Sequence, residues 1–413
     1  MRRPSSKTCP TWRGAGCLLV AAGLALGCGD GDQPIQAAPP AQEPQPEPEL
    51  QDEATVRALL ALPDLLEAPA IPALNPLSKE KIELGRYLFY DQKLSANQTQ
   101  SCSSCHLQEF AFADGKKTPT GSTGDVLFRN SPGLANAFYQ STLTWANNVL
   151  LELEQQLEVP IRNDHPTELG VSDGARDEVL ARFDDDPEYA RMFAAAFPDE
   201  KRGASIKKIV FALSSFCRSL VSADSPYDRY RAGDKAALNA SQRRGLALVS
   251  GERLECFHCH TGVNLTVSYR DANTTSGTIR YPFFNNGLYN VDGEGSYPPH
   301  DQGLYDLTLD PGDRGLFRPP SLRNVALTAP YMHDGSIPTL RDVVKHYAAG
   351  GTVLEAGPFA GDGRVSPLKS GLVRGFKITE AELDDVVAFL ESLTDDSFVQ
   401  NPAFASPFEA AAP

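Results

Sequence analysis

The 413-residue sequence predicts a mainly α fold made of two similar halves linked by long ordered loops. Three observations predict it. The pentapeptide Cys102-Ser103-Ser104-Cys105-His106 returns as Cys256-Phe257-His258-Cys259-His260. Each copy follows a stretch with a helix-capping serine and the pattern Gly-x-x-Leu, Gly85 to Leu88 and Gly245 to Leu248. Apolar residues at helical spacing then recur late in each half.

The repeated element carries chemistry. Two thiols three residues apart can both reach the vinyl groups of one haem, and the following imidazole is placed to bind its iron, which is the c-type haem attachment pattern. A redox thiol pair and half of a zinc site are the competing readings. Both are disfavoured by the histidine directly after each pair and by the lack of a βαβ pattern around it.

In chain order, residues 1–27 read as a targeting segment: Arg2, Arg3, Lys7 and Arg13 precede an apolar run, Cys17 to Leu26, too short to span a bilayer. It ends in Leu24-Ala25-Leu26-Gly27-Cys28, similar to a lipobox with Cys28 as the lipidated residue; plain secretion is the alternative. Residues 28–53 are rich in Pro, Gln and Glu and read as a disordered tether. The first half is expected over 54–225 and the second over 226–398, with a tail at 399–413.

Within the first half, Ser78 can cap a helix from Lys79 to Tyr90, and Ile206, Ile209, Val210, Leu213, Phe216 and Leu220 mark the apolar face of a closing helix. In the second, Ser241 can cap a helix from Gln242 to Ser250. Between 261 and 320, Gly, Pro, Asn and Tyr dominate, which predicts long ordered loops with room for a short hairpin. Thr379 and Glu382 form a capping box ahead of Leu383, Val386, Val387, Leu390 and Leu393, a C-terminal helix expected to pack back on the body. The architecture is that of two cytochrome c-like haem domains.

Composition excludes some functions. The formal charge is −15, and −19 without the four basic residues of 1–27, so nucleic acid is not a partner. Of eight cysteines, Cys9 and Cys17 leave with the targeting segment, Cys28 is the lipid candidate and four hold haem. Cys217 remains, on an apolar helix face, as an inert core thiol, so there is no disulfide framework.

With both clamps in place, further motifs become readable: LGRYLFYDQKLS, RNSP, PIRNDHPTELG and SLRNVALTAPYMHDGS, in order around the two CxxCH sites. Over residues 78–398 the chain resembles the bacterial dihaem cytochrome c peroxidase and MauG superfamily. The resemblance implies a peroxide-reactive first haem with His106 as proximal iron ligand. It implies a second haem, bound by His260, that relays electrons. It implies Ca²⁺ held by Asn130, Thr328 and Pro330, and Trp145 as the inter-haem aromatic, one residue out of the family's spacing. Above the first haem the family's Gln, Pro and Glu fall on Gln156, Pro160 and Glu168, with Asp164-His165 inserted before the last. Glu168 would serve as the acid/base that moves a proton between the oxygens of H₂O₂.

Two departures shape the functional expectation. The peroxidases carry a histidine in the loop after the first clamp; here DGKKTPTGSTGDVLFRNSP has none, which implies an open first haem. Their methionine ligand to the second haem falls on Tyr347, as in MauG-type enzymes, with neighbouring His346 the alternative ligand. Tyrosinate stabilises ferric and higher states. The motifs look most like the MbnH-type branch. An exported enzyme on the periplasmic side of a bacterial membrane is therefore expected, anchored there only through Cys28. It would use H₂O₂ to form a high-valent dihaem state that oxidises a residue, tryptophan above all, of a partner protein such as a copper-binding one. The alternative is a peroxidase fed electrons by a small cytochrome or cupredoxin; a pure electron-transfer cytochrome is the third reading. MauG's surface relay tryptophan is Leu254 here, which leaves Tyr281 and Tyr289 as relay candidates. Of the other histidines, His165, His258 and His300 read as surface residues, and His333 as a structural hydrogen-bonding residue near the second haem.

Overall fold

Helix α2 (Lys79–Tyr90) meets α6 (Ile206–Ser219) through a glycine, and the same contact occurs again in the second half. The computed structural model describes residues 50–275, 278 and 281–408. The targeting segment, most of the tether and Cys28 lie outside the described residues. A Cβ on Gly85 would fall 2.0 Å from the main-chain oxygen of Ala212 and 2.8 Å from Cβ of Phe216. In the second half, α8 (Ala240–Val249) crosses α11 (Glu380–Glu391), and a Cβ on Gly245 would fall 1.9 Å from the oxygen of Asp385 and 2.7 Å from Cβ of Phe389. The Gly-x-x-Leu repeat is thus a pair of helix crossings so close that only hydrogen fits at the contact.

The remaining helices are α1 (Glu53–Leu60), α3 (Leu153–Arg162), α4 (Arg176–Asp184), α5 (Pro187–Ala196), α7 (Pro226–Arg231), α9 (Tyr305–Thr308), α10 (Leu340–Ala349) and α12 (Asp396–Val399). The structure is mostly helical, as expected. Ser78 accepts from the amide of Lys81 and caps α2, and Thr379 and Glu382 form the expected capping box on α11. At α8 the expectation needs correction. Asn239, not Ser241, is the cap, because Asn239 and Gln242 form a reciprocal box that starts two residues earlier. The Ser241 hydroxyl donates to Asp385 Oδ1 at 2.6 Å instead, tying α8 to α11. The tether also ends earlier than 53. Gln51 exchanges two hydrogen bonds with the backbone of Leu77, and Asp52 caps α1.

No strand occurs between 261 and 320 among the described residues. That stretch holds isolated bridges, Phe284 with Phe317 and Gly303 with Arg314. The hairpin lies later, where β1 (Val353–Leu354) pairs antiparallel with β2 (Gly361–Asp362). Asparagines in 261–320 instead satisfy the backbone through their side chains; buried Asn285 accepts from Gly287 N–H and donates to Arg314 O, and buried Asn290 accepts from Gly295 N–H and donates to Asp362 O in β2.

The first core gathers Leu84, Leu88, Phe89, Phe112, Phe183, Leu213 and Phe216; the second gathers Val249, Leu254, Leu340, Leu383, Val386 and Phe389. After α11 the chain returns to the first half, where Phe398 and Phe404 enter the first core. Residues from 399 to at least 404 are therefore packed, not a free tail. Cys217 is buried, as its helix face predicts. Buried Arg323 pairs with buried Asp228 at 2.8 Å and donates to the oxygen of Val263, fixing the loop that leads to Thr328. A buried pair of this kind orders the chain more than it stabilises it.

Candidate haem and peroxide sites

Both clamps share one backbone device. After the first, Leu107 N–H donates to Ala113 O at 2.8 Å, folding the chain back so that His106 Nδ1 lies 2.6 Å from the oxygen of Phe112. After the second, His260 Nδ1 lies 3.3 Å from the oxygen of Leu265. A carbonyl only accepts, so each Nδ1 carries the proton and each Nε2 is left as the free lone pair, the tautomer an iron ligand needs. Phe112 has φ 63° and Leu265 φ 51°, left-handed values that cost a bulky residue about 1–3 kcal/mol each. The same strain at both carbonyls marks a functional constraint repeated with the motif. Burial lowers the proton affinity of His106, and brings that of His260 down to about 4, keeping both imidazoles neutral.

A cavity opens over the second clamp. Cys256, Cys259, His260, Trp145, Tyr347 and Arg318 line it, and about 1630 Å³ there is unfilled by atoms, part of it open to solvent. Two thiols, a neutral imidazole and apolar walls suit a covalently held haem. Arg318 strengthens the fit, and sequence reasoning had missed it. It is among the most deeply buried side chains, its Nε donates to Thr144 O at 2.8 Å, its Nη1 donates to Pro319 O, and no carboxylate pairs with it among the described residues. Burial pulls its pKa down to about 10. Such a cation calls for an anion, and a haem propionate supplies one.

Tyr347 reaches the cavity from the last turn of α10, which Thr339 caps and Gly350 ends in the left-handed conformation. Burial pushes its phenol up to about 12, with the Asn286 side chain opposing. His346 has both ring nitrogens occupied: Nδ1 is 2.7 Å from Thr352 Oγ1 and Nε2 is 3.1 Å from Asn286 O. Met332 also borders the cavity, with its sulfur 3.3 Å from Asn286 Nδ2.

Leu157 and Ile161 of α3 share the first core with Cys102 of the first clamp. Burial disfavours the Glu154 carboxylate, yet Arg218 of α6, at 2.6 Å, and Asn75 hold it down to about 2. That pair fixes α3 on α6. Gln156 and Pro160 are one helical turn apart on it; Pro160 has no N–H to give the Gln156 carbonyl. The side-chain Oε1 of Gln156 is buried without a partner, an orphan that a polar group above the first haem would satisfy. The loop bearing Glu168 is strung between Ser122, whose N–H donates to Glu168 O, and Pro160, whose oxygen accepts from Leu169. Gly121 passes so near that a Cβ would meet Thr167 O at 1.6 Å. Glu168 is close to the clamp: burial foremost, with its charge contributing, pushes Cys105 up to about 11. Glu168 itself is raised to about 7 by burial.

Between the halves, the Trp145 indole donates to Asn130 O at 2.8 Å. The Asn130 amide nitrogen donates to Lys116 O at 2.8 Å, which turns its Oδ1 away as a free donor for a cation. Thr328 lines the same cavity and Pro330 follows two residues on, half-buried. An amide oxygen with main-chain carbonyls is a donor set that fits Ca²⁺.

The other histidines divide. His165 and His300 are exposed, but His258 is half-buried, its Nε2 2.8 Å from Glu255. His333 is buried and stacks on Phe317 at 3.7 Å.

A family model for di-haem cytochrome c peroxidase matches residues 79–236. The chain is 34% identical to cytochrome-c peroxidase IdrP1 of Denitromonas iodatirespirans, over 78% of this chain and 84% of that one. It is 32% identical to the methylamine utilization protein MauG of Methylorubrum extorquens, over 83% and 85%. A solved structure described as a MauG-like protein associated with microbial copper homeostasis superposes with TM-score 0.82 at 48% identity, covering 84% of this chain and 98% of that one. The repeated clamps and these relatives make the chain a member of the dihaem cytochrome c peroxidase and MauG family, a haem peroxidase-type oxidoreductase that carries two c-type haems.

Proposed function

We propose that this enzyme uses H₂O₂ to oxidise a residue, tryptophan in our reading, of a partner protein. The observation that carries it is the pair at the end of α10: Tyr347 faces the second-haem cavity, while His346 spends both ring nitrogens on Thr352 and Asn286. Tyrosine as the far ligand favours storage of oxidising equivalents over acceptance of electrons from a carrier. With peroxide bound, the haem pair supplies two oxidising equivalents. Glu168 takes the proton from the inner peroxide oxygen and returns it to the outer one, and a carboxyl raised to about 7 is suited to both. Gln156 offers its unpartnered oxygen to the same space, and Pro160 shapes it. Trp145 would lie between the two haems, and Asn130, Thr328 and Pro330 would hold Ca²⁺ beside it.

The likeness to a protein associated with copper homeostasis supports a copper-binding partner. The targeting segment supports export to the periplasmic side, with Cys28 as lipid anchor; among the described residues no helix is long and apolar enough to cross a membrane. One observation favours a second reading, a peroxidase served by a small electron carrier. Met332 borders the same cavity and could be the far ligand.

The test is to add H₂O₂ to the diferric protein without reductant and follow the visible and near-infrared spectrum. Prompt loss of the ferric Soret band with a new near-infrared band is expected. A reaction that begins only after one haem is reduced would leave the carrier-fed peroxidase in its place.

A further inference from the structure

Oxidising equivalents stored beside Tyr347 need a way out to a protein that cannot enter the cavity. Leu254, in the position of a relay tryptophan, is an aliphatic side chain and buried, so the exit lies elsewhere. An aromatic cluster leads from the cavity wall toward the surface. Phe317 and His333, both in that wall, stack at 3.7 Å. The ring of Tyr297 lies 5.8 Å from Phe317 and 5.9 Å from His333, and Tyr289 follows at 5.4 Å from Tyr297. Tyr289 is half-buried; beyond it come Phe359 at 6.3 Å and then exposed His300, 5.6 Å from Phe359. These are ordinary aromatic contact distances, so the cluster is continuous.

Which member can hold a hole depends on where its proton goes. A phenol that loses an electron in a protein interior must also shed its proton, and only a base within hydrogen-bond reach can take it. Buried Tyr297 donates to Asn285 Oδ1 at 3.0 Å, and Tyr331 donates to Val325 O at 3.1 Å; an amide and a peptide are not bases. Tyr289 donates to a carboxylate, Asp334 Oδ2, at 2.6 Å. Tyr189 makes the same kind of pair with Asp91, but it is buried in the first core beside Tyr87 and Phe183. Tyr281 is exposed and stands apart from the cluster.

We propose that Tyr289 is the exit station for oxidising equivalents, with Asp334 holding its proton while it is oxidised. The inference rests on the partner-oxidising reading. Tyr289 gives one electron to the peroxide-oxidised haem pair and its phenolic proton to Asp334 Oδ2. It then takes an electron from the partner's residue and recovers the proton from Asp334. Two such cycles, with two protons from solvent, use the two equivalents of one H₂O₂, which leaves as two waters.

The test treats diferric wild type, Tyr289→Phe and Asp334→Asn with H₂O₂ in the presence of the spin trap 2-methyl-2-nitrosopropane, maps adducts by peptide mass spectrometry, and follows the Soret band in the same samples. Phenylalanine keeps the packing on Tyr297, and asparagine can keep the bond from Ser336 N–H, so haem content and ferric spectrum report folding. The expected result is an adduct on Tyr289 in wild type, absent in Tyr289→Phe and about a hundredfold weaker or more in Asp334→Asn, the lower end of the loss expected on removing a proton acceptor. Soret loss in wild type with the adduct on another residue, equal in all three proteins, would overturn Tyr289 as the exit and leave the partner-oxidising reading standing. No reaction of the diferric wild type without reductant would overturn both.

Discussion

Trp145 hangs from Asn130: its indole N–H donates to the Asn130 main-chain oxygen at 2.8 Å, while the Asn130 side-chain nitrogen donates to Lys116 O and leaves Oδ1 for the proposed Ca²⁺. In the proposed site, one residue would thereby couple the cation to the aromatic between the haems. Asn130→Ala is expected to weaken Ca²⁺ binding on the order of tenfold, about 1.4 kcal/mol. Chelation of the wild type should abolish the near-infrared band while leaving both haems attached. Titration of Ca²⁺ against that band checks it; a band indifferent to chelator would remove Ca²⁺ from the coupling.

In the proposed mechanism Glu168 acts on peroxide in its ionised form. Burial raises its pKa to about 7, so the rate of peroxide reaction should climb as pH rises through about 7 and level off above it. Glu168→Gln should slow the reaction roughly 10²- to 10⁴-fold and flatten that profile. Stopped-flow spectra across pH 5–9, a range set by that pKa, measure both effects.

Three side chains compete for the far side of the second haem, and their variants separate them. Tyr347→Phe is expected to raise the potential of that haem by a sizeable part of the roughly 0.8 V that axial ligands span. His346→Gln should leave the haem spectrum unchanged, because His346 holds Thr352 and Asn286 rather than the cavity. Met332→Leu should also be silent. Spectroelectrochemical titration decides; a large shift in Met332→Leu alone would restore the carrier-fed peroxidase.

At the two helix crossings, alanine would force a methyl group to within 2.0 Å of Ala212 O at Gly85, or 1.9 Å of Asp385 O at Gly245. Helix propensity favours alanine by only ~1 kcal/mol. Overpacking should win, and Gly85→Ala or Gly245→Ala is expected to destabilise the protein by about 1–3 kcal/mol net. Denaturant unfolding of the holoprotein provides the measurement.

Much was legible in the chain itself. The covalent clamps were certain from spacing, because three-residue separation and an adjacent histidine are local geometry. So were the caps of α2 and α11, and the tight contacts of Gly85 and Gly245 were visible as a repeat before their meaning was known. The cap of α8 was misplaced by two residues, since Asn239 and Ser241 offer the same chemistry and only the bond from Ser241 to Asp385, 144 positions away, separates them. The hairpin was misplaced for a related reason: the asparagines of 261–320 satisfy the backbone in loops, which no composition distinguishes from turns between strands.

The sequence by itself pointed to two attached haems, to His106 and His260 as their proximal ligands, and to the polar residues that could serve them. Tertiary structure alone decided what surrounds those groups. It showed Arg318 buried without a carboxylate, Gln156 Oε1 without a partner, both nitrogens of His346 occupied, and Tyr289 bonded to Asp334 at the end of an aromatic cluster. These are relations between residues far apart in the chain. Desolvation and hydrogen-bond satisfaction depend on which atoms meet in space, and no local pattern records that.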